Sequence, residues 1–85
     1  MTKFVETTEE KYDYGLNVLP PEMMAGPDFL VGEPVTHRRC EVSGNIAPTF
    51  EGYIVRGNKF YVTEGSVTRK EFDVARHDYY ERHLP

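Results

Sequence analysis

The chain has no tryptophan, a single cysteine and no apolar run near the length of a bilayer span. Each absence excludes something. Cys40 has no second cysteine to pair with, whereas small secreted domains usually carry several. A reducing, cytoplasmic setting is therefore expected. A helix needs about 20 mostly apolar residues to cross a membrane, and no stretch here approaches that, so no membrane association is expected. The Met1 to Glu10 stretch is too polar for a signal peptide. There is no Gly-rich phosphate loop and no dinucleotide fingerprint. No Gly-rich elbow surrounds Cys40, and no helix start follows it in sequence to lower its pKa. The sequence thus predicts neither an enzyme nor a cofactor. Positive charge is also in short supply. The formal net charge of −4 argues against a non-specific nucleic-acid coat, which wants a basic surface.

What is present describes one small α+β domain spanning residues 1–85. Aromatic residues make up 13% of the chain, enough to nucleate a core built on Tyr and Phe. Residues 1–34 read as a short N-terminal helix followed by a Pro-rich covering segment. Thr7 with Glu10 has the pattern of a capping box, and Tyr12, Leu16 and Leu19 follow at helical spacing. Pro20-Pro21 must end that helix. The segment 20–34 is broken further by the Gly26-Pro27 step and by Pro34, and is expected to wrap across a sheet and cover it.

Residues 35–64 read as a three-stranded antiparallel meander with strands at 35–42, 49–56 and 59–63. The two-residue Gly57-Asn58 loop has glycine first, which suits a type II′ hairpin turn. It places Arg56 opposite Lys59, Val55 opposite Phe60, Ile54 opposite Tyr61 and Tyr53 opposite Val62. Alternation then puts Tyr53, Val55, Phe60 and Val62 on one face and Phe50, Ile54 and Tyr61 on the other. Both faces need cover. Residues 66–84 supply a C-terminal helix for one of them, opened by a Thr68–Glu71 capping box. Phe72, Ala75, Tyr79 and His83 form its apolar stripe, and Arg69–Asp73, His77–Glu81 and Asp78–Arg82 its solvated face. The N-terminal helix and Pro-rich segment are expected on the other face.

Three sets of residues are candidates for function. His37 and Cys40 have the two-residue spacing of a zinc half-site, which His77 and His83 would complete. Geometry opposes this set, because strand positions three apart point to opposite faces and helix positions six apart sit about 120° from one another. Arg38, Arg39, Arg56 and Lys59 can gather at one sheet edge, either to contact nucleic acid or to deter edge-to-edge pairing. The third set is Tyr14, Met23, Met24, Phe29 and Tyr80, an aromatic and Met-rich group suited to gripping a protein partner. Adjacent Tyr79 and Tyr80 cannot both face inward, and a homodimer interface is an equal use of the one left outside.

The stretch from Tyr12 to Glu33 resembles a segment of small uncharacterised proteins carried by phages and plasmids. The matching positions are Tyr14, Leu19, Pro20, Pro21, Met24, Gly26, Phe29 and Glu33. The resemblance implies an accessory protein that binds and blocks a host factor. The expectation is therefore a non-enzymatic protein–protein interaction module with an unidentified protein partner. A nucleic-acid binder and a small metal-binding protein are the alternatives.

Overall fold

The computed structural model describes residues 2–18 and 27–82, with the backbone alone of 24–25. In chain order the elements are β1 (Phe4–Thr7), α1 (Glu9–Asn17), β2 (Met24–Ala25), β3 (Asp28–Leu30), β4 (Thr36–Arg39), β5 (Ile46–Phe50), β6 (Gly52–Arg56), β7 (Lys59–Thr63), β8 (Val67–Thr68) and α2 (Arg69–Arg82). The fold is α+β, with two antiparallel sheets. One has the order β1-β7-β6-β3-β2 and the other β4-β5-β8.

The β6–β7 hairpin forms in the expected register, from Tyr53↔Val62 to Arg56↔Lys59. Gly57 takes φ +65 while Asn58 stays at negative φ, as a loop with glycine in its first position requires. The expected single meander, however, is two sheets. Leu30 pairs with Gly52 and Thr36 with Thr49, so residues 31–35 on one run face only 50–51 on the other. On the far side Glu51 alone faces the span between Thr63 and Val67. Extra residues on both flanks bend the ladder around Glu51, as bulges do. The first meander strand accordingly pairs through 36–39 with 46–49, and the place beside β6 goes to β3. The segment expected to lie over the sheet is thus inserted into it at 28–30.

Pro48 lies inside β5, where it donates no hydrogen bond. Val35 N–H donates to the Thr49 carbonyl at 2.7 Å, so Thr49 turns its backbone towards β4 and Pro48 turns the other way. β8 pairs only with Thr49 and Phe50, so the proline faces an open edge, where prolines are tolerated.

The two faces of the hairpin carry two cores, divided as the alternation predicts. Tyr53 and Val62 pack with Tyr12 and Phe29 beneath α1, with Val55 and Phe60 at the margin. Ile54 and Phe50 pack with Leu30, Val67 and Phe72 beneath α2, with Phe4, Tyr61 and Tyr79 at the margin. Consecutive residues of β3 therefore serve opposite cores. Gly15 costs α1 some propensity, but its absent side chain admits the Phe29 and Tyr53 rings, each 3.1 Å from where a Cβ would stand. The helix is capped by Thr8, whose side chain accepts from Lys11 N–H, and not by Thr7, which ends β1. The lead-in before α1 is itself an edge strand, pairing Phe4–Thr7 with β7. Leu19 and His83 lie outside the described residues.

Candidate interaction surface

Glu71 organises one end of the molecule. It is 4% exposed, yet its carboxylate accepts four hydrogen bonds. Oε1 takes Thr68 N–H at 3.1 Å and Arg38 Nη2 at 2.6 Å. Oε2 takes Arg38 Nη1 at 2.8 Å and Glu41 N–H at 2.7 Å. Thr68 Oγ1 accepts the Glu71 N–H at 3.3 Å, completing the expected capping box. The Arg38 guanidinium and the two backbone donors hold the Glu71 carboxyl down to about 2. One carboxylate thus fastens β4, the turn after it and the start of α2 together.

Cys40 sits in the same corner, 1% exposed. Its Sγ accepts from Ser43 N–H at 3.5 Å and from the Thr68 hydroxyl at 3.0 Å. Hydrogen bonds from Ser43 and Thr68 bring the thiol down to about 7. Sequence places no helix start after Cys40, but the fold brings the α2 N-cap to it from twenty-eight positions away.

A second buried carboxylate anchors the opposite part of α2. Asp28, 1% exposed, meets Arg56 Nη1 at 3.1 Å and Arg76 Nε at 2.8 Å. Its Oδ1 also accepts Val55 N–H at 3.3 Å. Arg56 Nε is buried without a hydrogen-bond partner. The Tyr80 ring covers that guanidinium, with its centroid 5.1 Å from Cζ.

These networks decide how the candidate residues stand. Arg38 and Arg56 turn onto separate internal carboxylates, and Arg39 donates to the Gly44 carbonyl at 2.6 Å. The set with Lys59 is divided, Arg38 and Arg39 on the three-stranded sheet and Arg56 and Lys59 on the five-stranded one. Among the described residues, no three His, Cys, Asp or Glu side chains are grouped to hold a metal. His37 is exposed on β4 while Cys40 is buried, and His77 pairs with Glu81 at 2.8 Å on α2. Phe29 is not a contact residue. It is fully buried and stacked on Tyr53 at 5.2 Å, because β3 is an inner strand with a helix over that face. Tyr14 is 69% exposed on α1 and Tyr80 49% exposed on α2. Met23 and the side chain of Met24 lie outside the described residues.

A further surface was not singled out by sequence. Between the turn at 41–43 and α2 runs an open furrow of about 260 Å³, floored by Val42, Val74 and Ala75. Along α2 it passes into a second shallow hollow of about 460 Å³ that shares Val74 and Asp78. Val42 and Val74 are 51% and 56% exposed. Glu71 creates the furrow, since its bond to Glu41 N–H holds the turn against the helix. Glu41, Asp73, Asp78 and Glu81 also border the two hollows. The available sequence signal was Val74, an apolar residue on a helical face otherwise occupied by Asp73, His77, Asp78 and Glu81.

No helix among the described residues is long and apolar enough to cross a membrane. Compared with protein families, curated proteins and solved structures, the chain matches none.

Proposed function

We propose that the protein is a non-enzymatic protein–protein interaction module, and that the furrow beside α2 is its contact surface. The observation that carries this reading is the pair Val42 and Val74. Both are about half exposed, and they line one furrow instead of being scattered. The main polar constellations of the fold close on themselves, with Glu71 taken by Arg38 and Asp28 by Arg56 and Arg76. A contact surface is what remains. The resemblance of residues 12–33 to phage- and plasmid-borne proteins fits an accessory regulator that blocks a host factor. Tyr14, well exposed on α1, is a second anchor for the same kind of contact.

The test compares capture from host lysate by the wild-type chain with capture by Val74→Ser and by Tyr14→Ser. Both substitutions are at exposed positions and leave the fold intact, which circular dichroism checks. The reading expects one specific protein to be recovered by the wild type and lost with Val74→Ser. Recovery of the same proteins by all three chains would overturn the reading.

A further inference from the structure

We infer that the uncovered part of the β5 edge takes one extended acidic peptide segment, paired through the backbone of Ile46 and laying a carboxylate against Lys70. This site shares no residue with the furrow.

The sheet order β4-β5-β8 leaves β5 half covered on one side. There β8 pairs with Thr49 and Phe50 only, because the chain passes into α2 at Arg69. Among the described residues, no strand lies on that side of 46–48. The bonds on the other side decide which backbone groups face the gap. Cys40 N–H donates to the Asn45 carbonyl at 2.8 Å and Val35 N–H to the Thr49 carbonyl at 2.7 Å, so 45, 47 and 49 turn towards β4. Ile46 and Pro48 therefore turn to the open side. Pro48 has no N–H, so Ile46 alone offers both a donor and an acceptor there, and it is 65% exposed. One residue of an incoming strand exchanges both bonds with it. Pro48 keeps the pairing short, as edge prolines do.

Beside this edge and the first residues of α2 is an open hollow of about 590 Å³. Ala47, Pro48 and Phe50 give it apolar walls, Arg69 and Lys70 border it, and no carboxylate does. Arg69 already has a partner. Glu71, next to Lys70 in sequence, is occupied by Arg38 and by the N–H groups of Glu41 and Thr68. Lys70 makes no ion pair among the described residues, so its charge is the one left to be answered. A basic segment would meet like charge, whereas a carboxylate finds its counter-charge. Strand addition supplies the backbone bonds, and alternate side chains of the segment seat in the hollow.

The experiment uses the full chain and three peptides of one length: alternating valine and glutamate, its lysine counterpart, and the glutamate peptide with N-methylated amides. Amide shifts of the isotope-labelled protein locate binding, and fluorescence anisotropy of the labelled peptides measures it. The glutamate peptide is expected to shift Ile46, Ala47 and Lys70, and to lose affinity as salt is raised. Lys70→Glu should weaken it about tenfold. Ile46→Pro, which removes the N–H at an outward-turned position, should weaken it by more than Ile46→Thr, which keeps that donor. N-methylation tests the same bonds from the peptide's side, without touching the fold. Binding of the lysine peptide as tight as that of the glutamate peptide, shifts confined to other surfaces, equal losses with Ile46→Pro and Ile46→Thr, or full binding of the N-methylated peptide would each overturn the inference. Capture that depends on Val74 and peptide binding that depends on Ile46 succeed or fail independently, so failure of one reading is distinguished from failure of the other.

Discussion

The Glu71 carboxylate and the Arg38 guanidinium meet side-on through two hydrogen bonds of 2.6 and 2.8 Å, joining α2 to an edge strand thirty-three positions earlier. Paired bonds of this fork geometry are stronger than neutral ones and set orientation as well as distance. Because Glu71 is buried, its charge depends on these donors. Its folded pKa, about 2, lies below the ordinary 4.5. The stability it contributes is therefore fully present above pH 4.5 and is lost as pH falls towards 2. Urea denaturation across that range should show stability dropping with acid, and Glu71→Gln should flatten that part of the curve. At neutral pH the same substitution should cost about 3 kcal/mol, because it leaves Arg38 without its counter-charge.

Gly52 and Phe72 are matched in shape. A Cβ on Gly52 would overlap the Phe72 ring, and both residues are buried. Gly52→Ala should destabilise by about 2–3 kcal/mol through overpacking. In a Phe72→Leu background the added methyl has more room, so the cost of Gly52→Ala should shrink by about 1 kcal/mol or more in a double-mutant cycle. Additive costs in thermal or urea unfolding would show that the ring does not set this constraint.

The parts of the fold legible in sequence are those where local chemistry and final structure agree. The Gly57-Asn58 loop determines which of Tyr53 to Val62 point together, and those groups find separate cores. Thr68 and Glu71 announce the start of α2. The illegible parts depend on partners distant in the chain. Asp28-Phe29-Leu30 is too short and too flanked by prolines to read as a strand, and it becomes one only because β6 offers an edge. Residues 4–7 form a strand for the same reason, beside β7. Gly15 argues locally against α1, while its reason is two aromatic rings supplied by β3 and β6. The furrow is less legible still. Val42 lies in a turn and Val74 on a polar helical face, and contacts distant in the chain, among them the bond from Glu41 N–H to Glu71, bring them to one surface.

Cys40 combines an easily ionised thiol with near-complete burial. Burial should dominate its chemistry, since a thiol reagent must reach the sulfur before ionisation matters. At pH 8 a disulfide reagent is expected to label the native protein about a hundredfold more slowly than the urea-unfolded chain, with labelling gated by local opening. Thr68→Val removes the hydroxyl that donates to Sγ at 3.0 Å and should move the thiol pKa upward. Ultraviolet absorbance of the thiolate during a pH titration reads that shift. Rapid labelling of the native chain would show that the corner around Thr68 is open.

Asp28 carries the other internal charge balance, and its two arginines are unequal. Arg56 is the more buried, with 16% of its side chain exposed against 30% for Arg76. Removing the carboxylate should therefore be felt mainly at Arg56, whose Nε already lacks a partner. Asp28→Asn keeps the shape but not the charge, and should destabilise by about 3 kcal/mol. Arg76→Met, which removes the less buried cation and retains its packing, should cost no more than about 1 kcal/mol, because Arg56 still balances Asp28. Tyr80→Ala strips the ring from Arg56 and should cost about 0.5–1 kcal/mol, the range of a partly exposed cation–π contact. Urea denaturation of the three variants ranks them. If Arg76→Met proved as damaging as Asp28→Asn, the carboxylate would be held by both arginines jointly and the hairpin end of β6 would not be its principal anchor.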